Sequence, residues 1–498
     1  MGHSAQLLAL LPSGPVSYTH LNNSVIEDPT VFTWTDANWA TPDVSQLILY
    51  EASVYGLTEG DRDIQPANQG KFAGITERIR MGYFGQLGVT ALALMPLAEV
   101  SSMQAPDSLG YDPSLFCTVE RDFGSPDDLR ELVNAAHEQG LAVILDEVFN
   151  HTSNKFNPLW QMILEHPRQE GQSVGGLYFE GGTPWGNRIA TGKTDVQNML
   201  IDACRLLLAE YHVDGFRLDA THHNDWMDFG LLDRLARELQ AVKPGVILIA
   251  ENLPNQGDLN RQGFDGYAQW CDGFHDKLKA LLREGVFHGT PNSAEDMGDI
   301  FYFSKGRFAS HTNNVVNYCE CHDETSVSYE VGTNASLNNG PAQDRKGRLG
   351  LFASMVALGQ PMLYMGQEFN VWRDSKTVRF DWPESLDQHG FYQWARRLIH
   401  LRRRYPGLRL SGYDPASIGQ FTWIAAPWMG SSQGGGQRAI GWRAQPNQSA
   451  HDALIVLMNF EGHDVVVDLD FGIPGVWIKL ADIERVNDLP LELSLIHI

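Results

Sequence analysis

The chain has 498 residues, 43% of them hydrophobic, and a formal net charge of −24. That length exceeds one ordinary domain and suits a large core-forming domain with a smaller companion. Such an acidic balance repels phosphate backbones and anionic bilayers, so nucleic acid and membrane partners are excluded and a neutral or cationic partner is favoured. No apolar run is long enough to span a bilayer, and no Lys or Arg cluster precedes Leu7–Leu11, so a cytoplasmic setting without a signal peptide is expected. The five cysteines, Cys117, Cys204, Cys271, Cys319 and Cys321, form no CxxC pair. No metal, cofactor or disulfide framework is therefore expected. Cys319 and Cys321 flank Glu320 and read as two buried positions of one strand.

Gly14–Leu21 and Leu493–Ile498 match neither neighbour's pattern and read as linker of cloning origin. From about residue 46 short apolar runs alternate with amphipathic stretches, which is βαβα patterning. Leu47–Val54 reads as a first strand, Ile75–Leu87 as a helix, and Thr90–Met95 as the second strand, stopped by Pro96. Ser125-Pro126-Asp127-Asp128 starts a helix, with Ser as cap and acids near the positive helix end. That helix runs to Gln139, and Leu141–Asp146 is the third strand. A Gly-rich insertion occupies Asn154–Gly192.

Helix Asp195–Tyr211 then leads to strand Gly215–Asp219, and helix Trp226–Val242 to strand Val246–Glu251. Later strands fall at Ala268–Trp270, Val315–Cys321 and Pro361–Met365, with helices Arg345–Leu358 and Phe391–Tyr405. The fold class is α/β: a (β/α)8 TIM barrel over 45–406 with a short insertion after strand three. No GxGxxG follows the first strand, which argues against a dinucleotide-binding open sheet. Short strands at Phe421–Ala426, Gln437–Arg443, Ala453–Phe460 and Asp464–Leu469 indicate a small C-terminal antiparallel β domain over 407–498, expected to be truncated.

Barrel sites gather at the carboxyl ends of the strands. Strand three ends in Asp146, followed by Asn150 and His151. Strand four carries Arg217 and ends in Asp219, followed by His222 and His223. Strand five ends in Glu251, and strand seven in His322 and Asp323. Singly, Asp146 caps a helix as readily as it does chemistry, Arg217 makes an ordinary ion pair, His322 is a satisfied core histidine, and Asp219 is an even choice. Four strand ends with costly carboxylates at one rim are hard to explain by packing. Breaking an acetal with retention needs two carboxyl groups about 5–5.5 Å apart, and adjacent barrel strands supply that spacing. Arg217 favours the charged form of Asp219, and Glu251 needs an enclosed place to keep a proton.

Asp146-Glu147-Val148-Phe149-Asn150-His151, Gly215–Ala220, Ala250-Glu251-Asn252 and Cys321-His322-Asp323-Glu324 resemble the four ordered motifs of the α-amylase superfamily, glycoside hydrolase family 13. Gly110-Tyr111-Asp112-Pro113 resembles that family's loop after strand two, and the likeness covers about residues 45–475. The resemblance implies Asp219 as nucleophile, Glu251 as general acid/base and Asp323 as transition-state stabiliser. It implies that Arg217 ionises Asp219, that His151 and His322 bind hydroxyls, that Tyr111 stacks on the sugar and that Asp146 supports them. The implied partner is an α-glucan: glycogen, starch or a maltooligosaccharide.

Leu49-Tyr50-Glu51 and Cys319–Glu324 resemble branching enzymes. Gly263–His275 and Asp219–His222 resemble malto-oligosyltrehalose trehalohydrolases. Branching is the expected reaction, hydrolysis of amylase or trehalohydrolase type the alternative, and a catalytically dead binding protein the reading from another class. Glu147 departs from the family's apolar residue, and Asn252-Leu253 lacks the charge that often follows the acid. Val31–Trp34 resembles the exit of a starch-binding β module, so 1–44 is expected to hold a remnant of one. Asn150 is expected to make a structural hydrogen bond rather than hold calcium.

Overall fold

The computed structural model describes residues 29–100, 109–154, 157, 159, 174–175, 177–222, 227–260, 266–284, 294–374, 379, 381–429, 438–447, 452–467, 470–473 and 477–487. Contacts divide the chain into two units, Met1–Trp34 and Thr35–Ile498. In the first, a short turn spans Pro29–Val31 and the Phe32 ring meets Trp34 edge-on at 4.9 Å.

The second unit is built on eight parallel strands. These are β1 (Leu49–Ala52), β2 (Ala91–Leu94), β3 (Ala142–Glu147), β8 (Gly215–Leu218), β9 (Ile247–Ala250), β10 (Ala268–Trp270), β11 (Val315–Tyr318) and β12 (Gln360–Tyr364). They close as a barrel in the order β1-β12-β11-β10-β9-β8-β3-β2. Alternate residues fill its interior: Leu49, Ala91, Ala142, Ile144, Ile247, Ile249, Ala268, Trp270, Val316, Tyr318 and Met362. That period of two aims Asp146 inward and its neighbours Leu145 and Glu147 toward the helices.

Between β3 and β8 lie β4 (His151–Thr152), β5 (Val174–Gly175), β6 (Phe179–Gly182) and β7 (Asn187–Ile189). They pair antiparallel in the order β4-β7-β6-β5, a sheet that the Gly-rich sequence did not announce. Downstream, β13 (Phe421–Ala425), β14 (Ala439–Ala444) and β15 (Leu454–Asn459) form an antiparallel sheet. Residues 464–467 of the expected fourth strand are not in a strand, and 468–469 lie outside the described residues.

Other expectations also change. The helix expected over Ile75–Leu87 is two helices, Phe72–Arg80 and Tyr83–Leu87, because Gly82 takes the left-handed conformation (φ 76°) and breaks the backbone hydrogen-bond ladder. Cys319 and Cys321 are buried but lie past the end of β11, and Glu320 between them is buried too. Arg373 and the Val327 N–H hold the Glu320 carboxyl, which lets it face inward. All five cysteines are free.

At the opposite end of the barrel, Asp214 just before β8 accepts from Trp39, Thr41, His137 and Lys243. Burial alone would raise its carboxyl, but His137 and Lys243 hold it well below the ordinary range. These contacts tie the segment after Thr35 to the barrel floor.

Glu147 has no such support. It is 5% exposed, its Oε2 has no hydrogen-bond partner among the described residues, and burial, with Asp146 adding, pushes its carboxyl up to about 8. Because the folded value lies above the unfolded one, folding takes up a proton between about pH 4.5 and 8, and stability falls as pH rises through that window. Glu147→Gln is expected to stabilise the protein at pH 8 by on the order of 1–3 kcal/mol more than at pH 4. Thermal melts at the two pH values check this, and an equal shift at both rejects it.

Candidate active site

Register brings the expected residues together. Asp146 pairs with Arg217 across β3 and β8, and Arg217 with Ile249 across β8 and β9. Asp219 and Glu251 follow two residues after Arg217 and Ile249, which puts them on the same inward face. Arg217 is 2% exposed. Its Nη1 donates to Asp146 Oδ1 and Oδ2 at 2.9 and 2.7 Å and to Asp219 Oδ1 at 2.9 Å. Its Nη2 meets Glu251 Oε2 as an ion pair at 2.8 Å. One guanidinium therefore holds three carboxyl groups from three neighbouring strands. The Trp270 ring lies 4.3 Å from that guanidinium, a cation–π contact that adds to the hold on the buried cation.

Asn150 fixes Asp219 from the other side. Its Nδ2 donates to Asp219 Oδ2 at 2.9 Å and to the Asp219 carbonyl at 2.8 Å, the structural role expected of it. The next residue, Ala220, sits in the left-handed region (φ 41°), a conformation costing roughly 1–2 kcal/mol outside glycine. There its N–H donates to Glu251 Oε2 at 2.9 Å. The strain thus accompanies a contact between the two carboxylate-bearing loops.

Tyr111 comes from the loop after β2. Gly110 before it has φ 88°, and a Cβ there would meet the Pro96 carbonyl at 2.6 Å, so only glycine lets the loop close in. The Tyr111 hydroxyl donates to Asp146 Oδ2 at 2.5 Å, and its ring stacks on His322 at 4.5 Å. His151 is 2% exposed, with Nε2 2.8 Å from the Tyr111 carbonyl and Nδ1 on Asn150 Oδ1. His322 Nδ1 lies 2.6 Å from Glu51 Oε1, and the His322 N–H donates to Glu51 Oε2 at 3.2 Å. Asp323 is the open member: its side chain is 44% exposed, and Oδ2 is 3.6 Å from His322 Nε2. His222 is half-buried, and His223 lies outside the described residues.

The electrostatics separate the groups. Burial, with Asp219 adding and Arg217 opposing, pushes Glu251 up to about 7. Burial also lifts Asp146 to about 6 against the pull of Arg217. Burial would lower His322, but the Glu51 carboxylate overcomes it and raises the ring. For His151, burial wins and lowers it. Such an arrangement can present one anionic oxygen and one proton donor to a bond lying between them.

Three side chains escaped the sequence reading as site members. Glu51 had a signal, being the only acid in an apolar first strand. Trp270 looked like core. Trp185, 53% exposed and 5.8 Å from the His151 ring, sits in the insertion, whose sheet was not foreseen.

A family model described as Alpha amylase, catalytic domain, matches residues 54–172. The malto-oligosyltrehalose trehalohydrolase of Saccharolobus solfataricus is 28% identical over 366 residues, covering 68% of this chain and 59% of that one. The 1,4-alpha-glucan branching enzyme of Xanthomonas campestris pv. campestris is 26% identical over 425 residues, covering 77% of this chain and 55% of the relative. The chain thus spans little more than half the length of these curated relatives. Among solved structures, pullulanase type I from Bacillus subtilis, complexed with maltose, matches with a TM-score of 0.72 at 21% identity, over 87% of this chain and 66% of that one. That likeness concerns the fold.

Proposed function

We propose that the chain is a member of the α-amylase family, glycoside hydrolase family 13, which its family-model match and relatives support, and that it is a retaining enzyme acting on α-1,4-glucosidic bonds of an α-glucan. The observation that carries this reading is the Arg217 fork, which binds Asp219 and Glu251 together while burial keeps Glu251 near neutrality. In the first step a carboxylate oxygen of Asp219 bonds to the anomeric carbon. The bond from that carbon to the leaving oxygen breaks, and Glu251 gives that oxygen its proton. In the second step Glu251 takes a proton from the acceptor, whose oxygen displaces Asp219.

Asp323, exposed beside His322, is suited to hold hydroxyls of the distorted ring. His322 and Tyr111 form a stacked wall next to it, and Asp146 braces Tyr111 and Arg217. A hydroxyl at His151 must displace the Tyr111 carbonyl or the Asn150 amide from the ring nitrogens. The maltose-complexed structural neighbour supports a glucan as ligand.

We read the acceptor as water, which makes the enzyme a hydrolase. The Asp219–His222 continuation and the trehalohydrolase likeness favour this. Transfer to a glucan 6-hydroxyl, which is branching, is the second reading, favoured by Cys319–Glu324 and the branching relative. Product analysis on amylose separates them. Reducing-end gain supports hydrolysis, new α-1,6 links without that gain support branching, and free trehalose from a trehalose-capped oligomer marks the trehalohydrolase type. No turnover of any glucan returns the chain to a binding role.

Glu251 must carry its proton for the first step. Activity is therefore expected to hold below about pH 7 on the alkaline side and to fall roughly tenfold per unit above it. A pH profile of kcat/KM that stays flat to pH 9 would remove Glu251 from the acid role.

A further inference from the structure

Three buried side chains of different ligand type meet beside the candidate active site. Glu51 lies on β1, and Cys321 and His322 follow β11. One carboxylate oxygen, the thiol sulfur and one ring nitrogen all lie within 4.8 Å of one another. The residues are 2%, 2% and 3% exposed. Sulfur, imidazole nitrogen and a single carboxylate suit Zn²⁺ and similar thiophilic cations, whereas Ca²⁺ and Mg²⁺ prefer oxygen shells.

We propose that Glu51, Cys321 and His322 form a binding site for a thiophilic divalent cation, Zn²⁺ foremost, and that filling it silences the enzyme. Binding replaces the hydrogen bond between His322 Nδ1 and Glu51 Oε1, now 2.6 Å long. The proton of the Cys321 thiol and any proton on Nδ1 are released to solvent, the sulfur stays as thiolate ligand, and nothing is oxidised or reduced. In a zinc shell the sulfur lies about 2.3 Å and the nitrogen and oxygen about 2.0–2.2 Å from the metal. The three donors must therefore draw inward. That movement takes the His322 ring off Tyr111, which it now stacks at 4.5 Å, and off Asp323. The fourth tetrahedral position remains for water, as in zinc sites with three protein ligands. Catalysis as proposed above has no use for a thiol at 321, so the metal response can be removed without touching the acid, the nucleophile or the sugar wall. Only the silencing rests on the glucan reading; the metal site stands on its own ligands.

The test uses the whole chain with Co²⁺ alone as spectroscopic probe, then Zn²⁺ alone as inhibitor. Wild type is expected to bind one Co²⁺ with a thiolate-to-cobalt band in the near ultraviolet and tetrahedral bands in the visible, all displaced by Zn²⁺. Cys321→Ser should abolish the near-ultraviolet band and weaken metal binding by at least the roughly 10–100-fold that loss of an outer-shell partner already costs. Cys117→Ser, at the exposed thiol, should change neither. Without added metal Cys321→Ser should turn over glucan within about twofold of wild type, yet need at least roughly 10–100-fold more Zn²⁺ for half-inhibition. Cys321→Ala serves as second variant if the serine melts early. Absence of the thiolate band in wild type, or equal Zn²⁺ sensitivity in wild type and both variants, overturns the proposal. A chain that shows the band but turns over no glucan refutes the glucan reading and leaves the metal site in place.

Discussion

Asp219→Asn is expected to lower turnover of a chromogenic maltooligosaccharide by on the order of 10⁴-fold or more. The amide has nearly the carboxylate's shape but cannot bond to the anomeric carbon. Its oxygen can still accept from Arg217 Nη1, as Asp219 Oδ1 does at 2.9 Å. Its nitrogen then faces Asn150 Nδ2, a donor, where the carboxylate accepted at 2.9 Å. One hydrogen bond is exchanged for a donor–donor contact, so the folded state should weaken by only about 1–2 kcal/mol. A large kinetic loss beside a small melting shift is the signature of a reacting group. Residual activity above about one hundredth of wild type would move the nucleophile elsewhere. Glu251→Gln provides the companion measurement. It should slow the step that needs a proton while still letting Asp219 trap a substrate whose leaving group departs unaided.

Arg217→Met should cost both stability and activity. The methionine keeps apolar contact with Trp270 but leaves Asp146, Asp219 and Glu251 without the cation they share. Removing one partner from buried charges typically destabilises by about 3–5 kcal/mol. The sign of the pH response follows. Arg217 pulls Asp146 and Glu251 down against burial, so without it these two carboxyl groups shift further upward and the folded variant holds protons that folded wild type has released. The unfolded chain is common to both proteins, so the variant's deficit should grow as pH rises through the wild-type values of about 6 for Asp146 and about 7 for Glu251, and level off below them. Arg217→Lys restores one charge but not the fork, since an ammonium is a point donor. It should recover part of the stability and little of the activity. Equal melting of Arg217→Met and wild type at pH 7 would show that the fork is not what holds the three acids.

In the candidate site Asp146, Asp219 and Glu251 stand out in the sequence because each ends a strand run that is apolar but for Arg217. A carboxylate after Leu141–Leu145, Phe216–Leu218 or Ile247–Ala250 is conspicuous, and strand alternation carries the argument on to Arg217 and Ile249. Glu51 shows the limit. It lies 271 residues from the His322 it binds. No local pattern distinguishes an acid that meets a histidine from one that meets a solvent-facing lysine. Glu320 carried a misleading signal. Flanked by two cysteines it read as the outward residue of a strand, yet Arg373, 53 residues away, permits it to be buried.

Periodicity, caps and breakers are local, and by themselves they determined the eight barrel strands, the helix capped by Ser125 and the strand ends that bear carboxylates. Only the tertiary structure decided which distant groups meet: Glu51 with His322, Asn150 with Asp219, and the insertion sheet that brings Trp185 to His151. The physical reason is that hydrophobic alternation says which way a side chain faces, whereas closure of β1 against β12 says what it faces, and that depends on every strand between them.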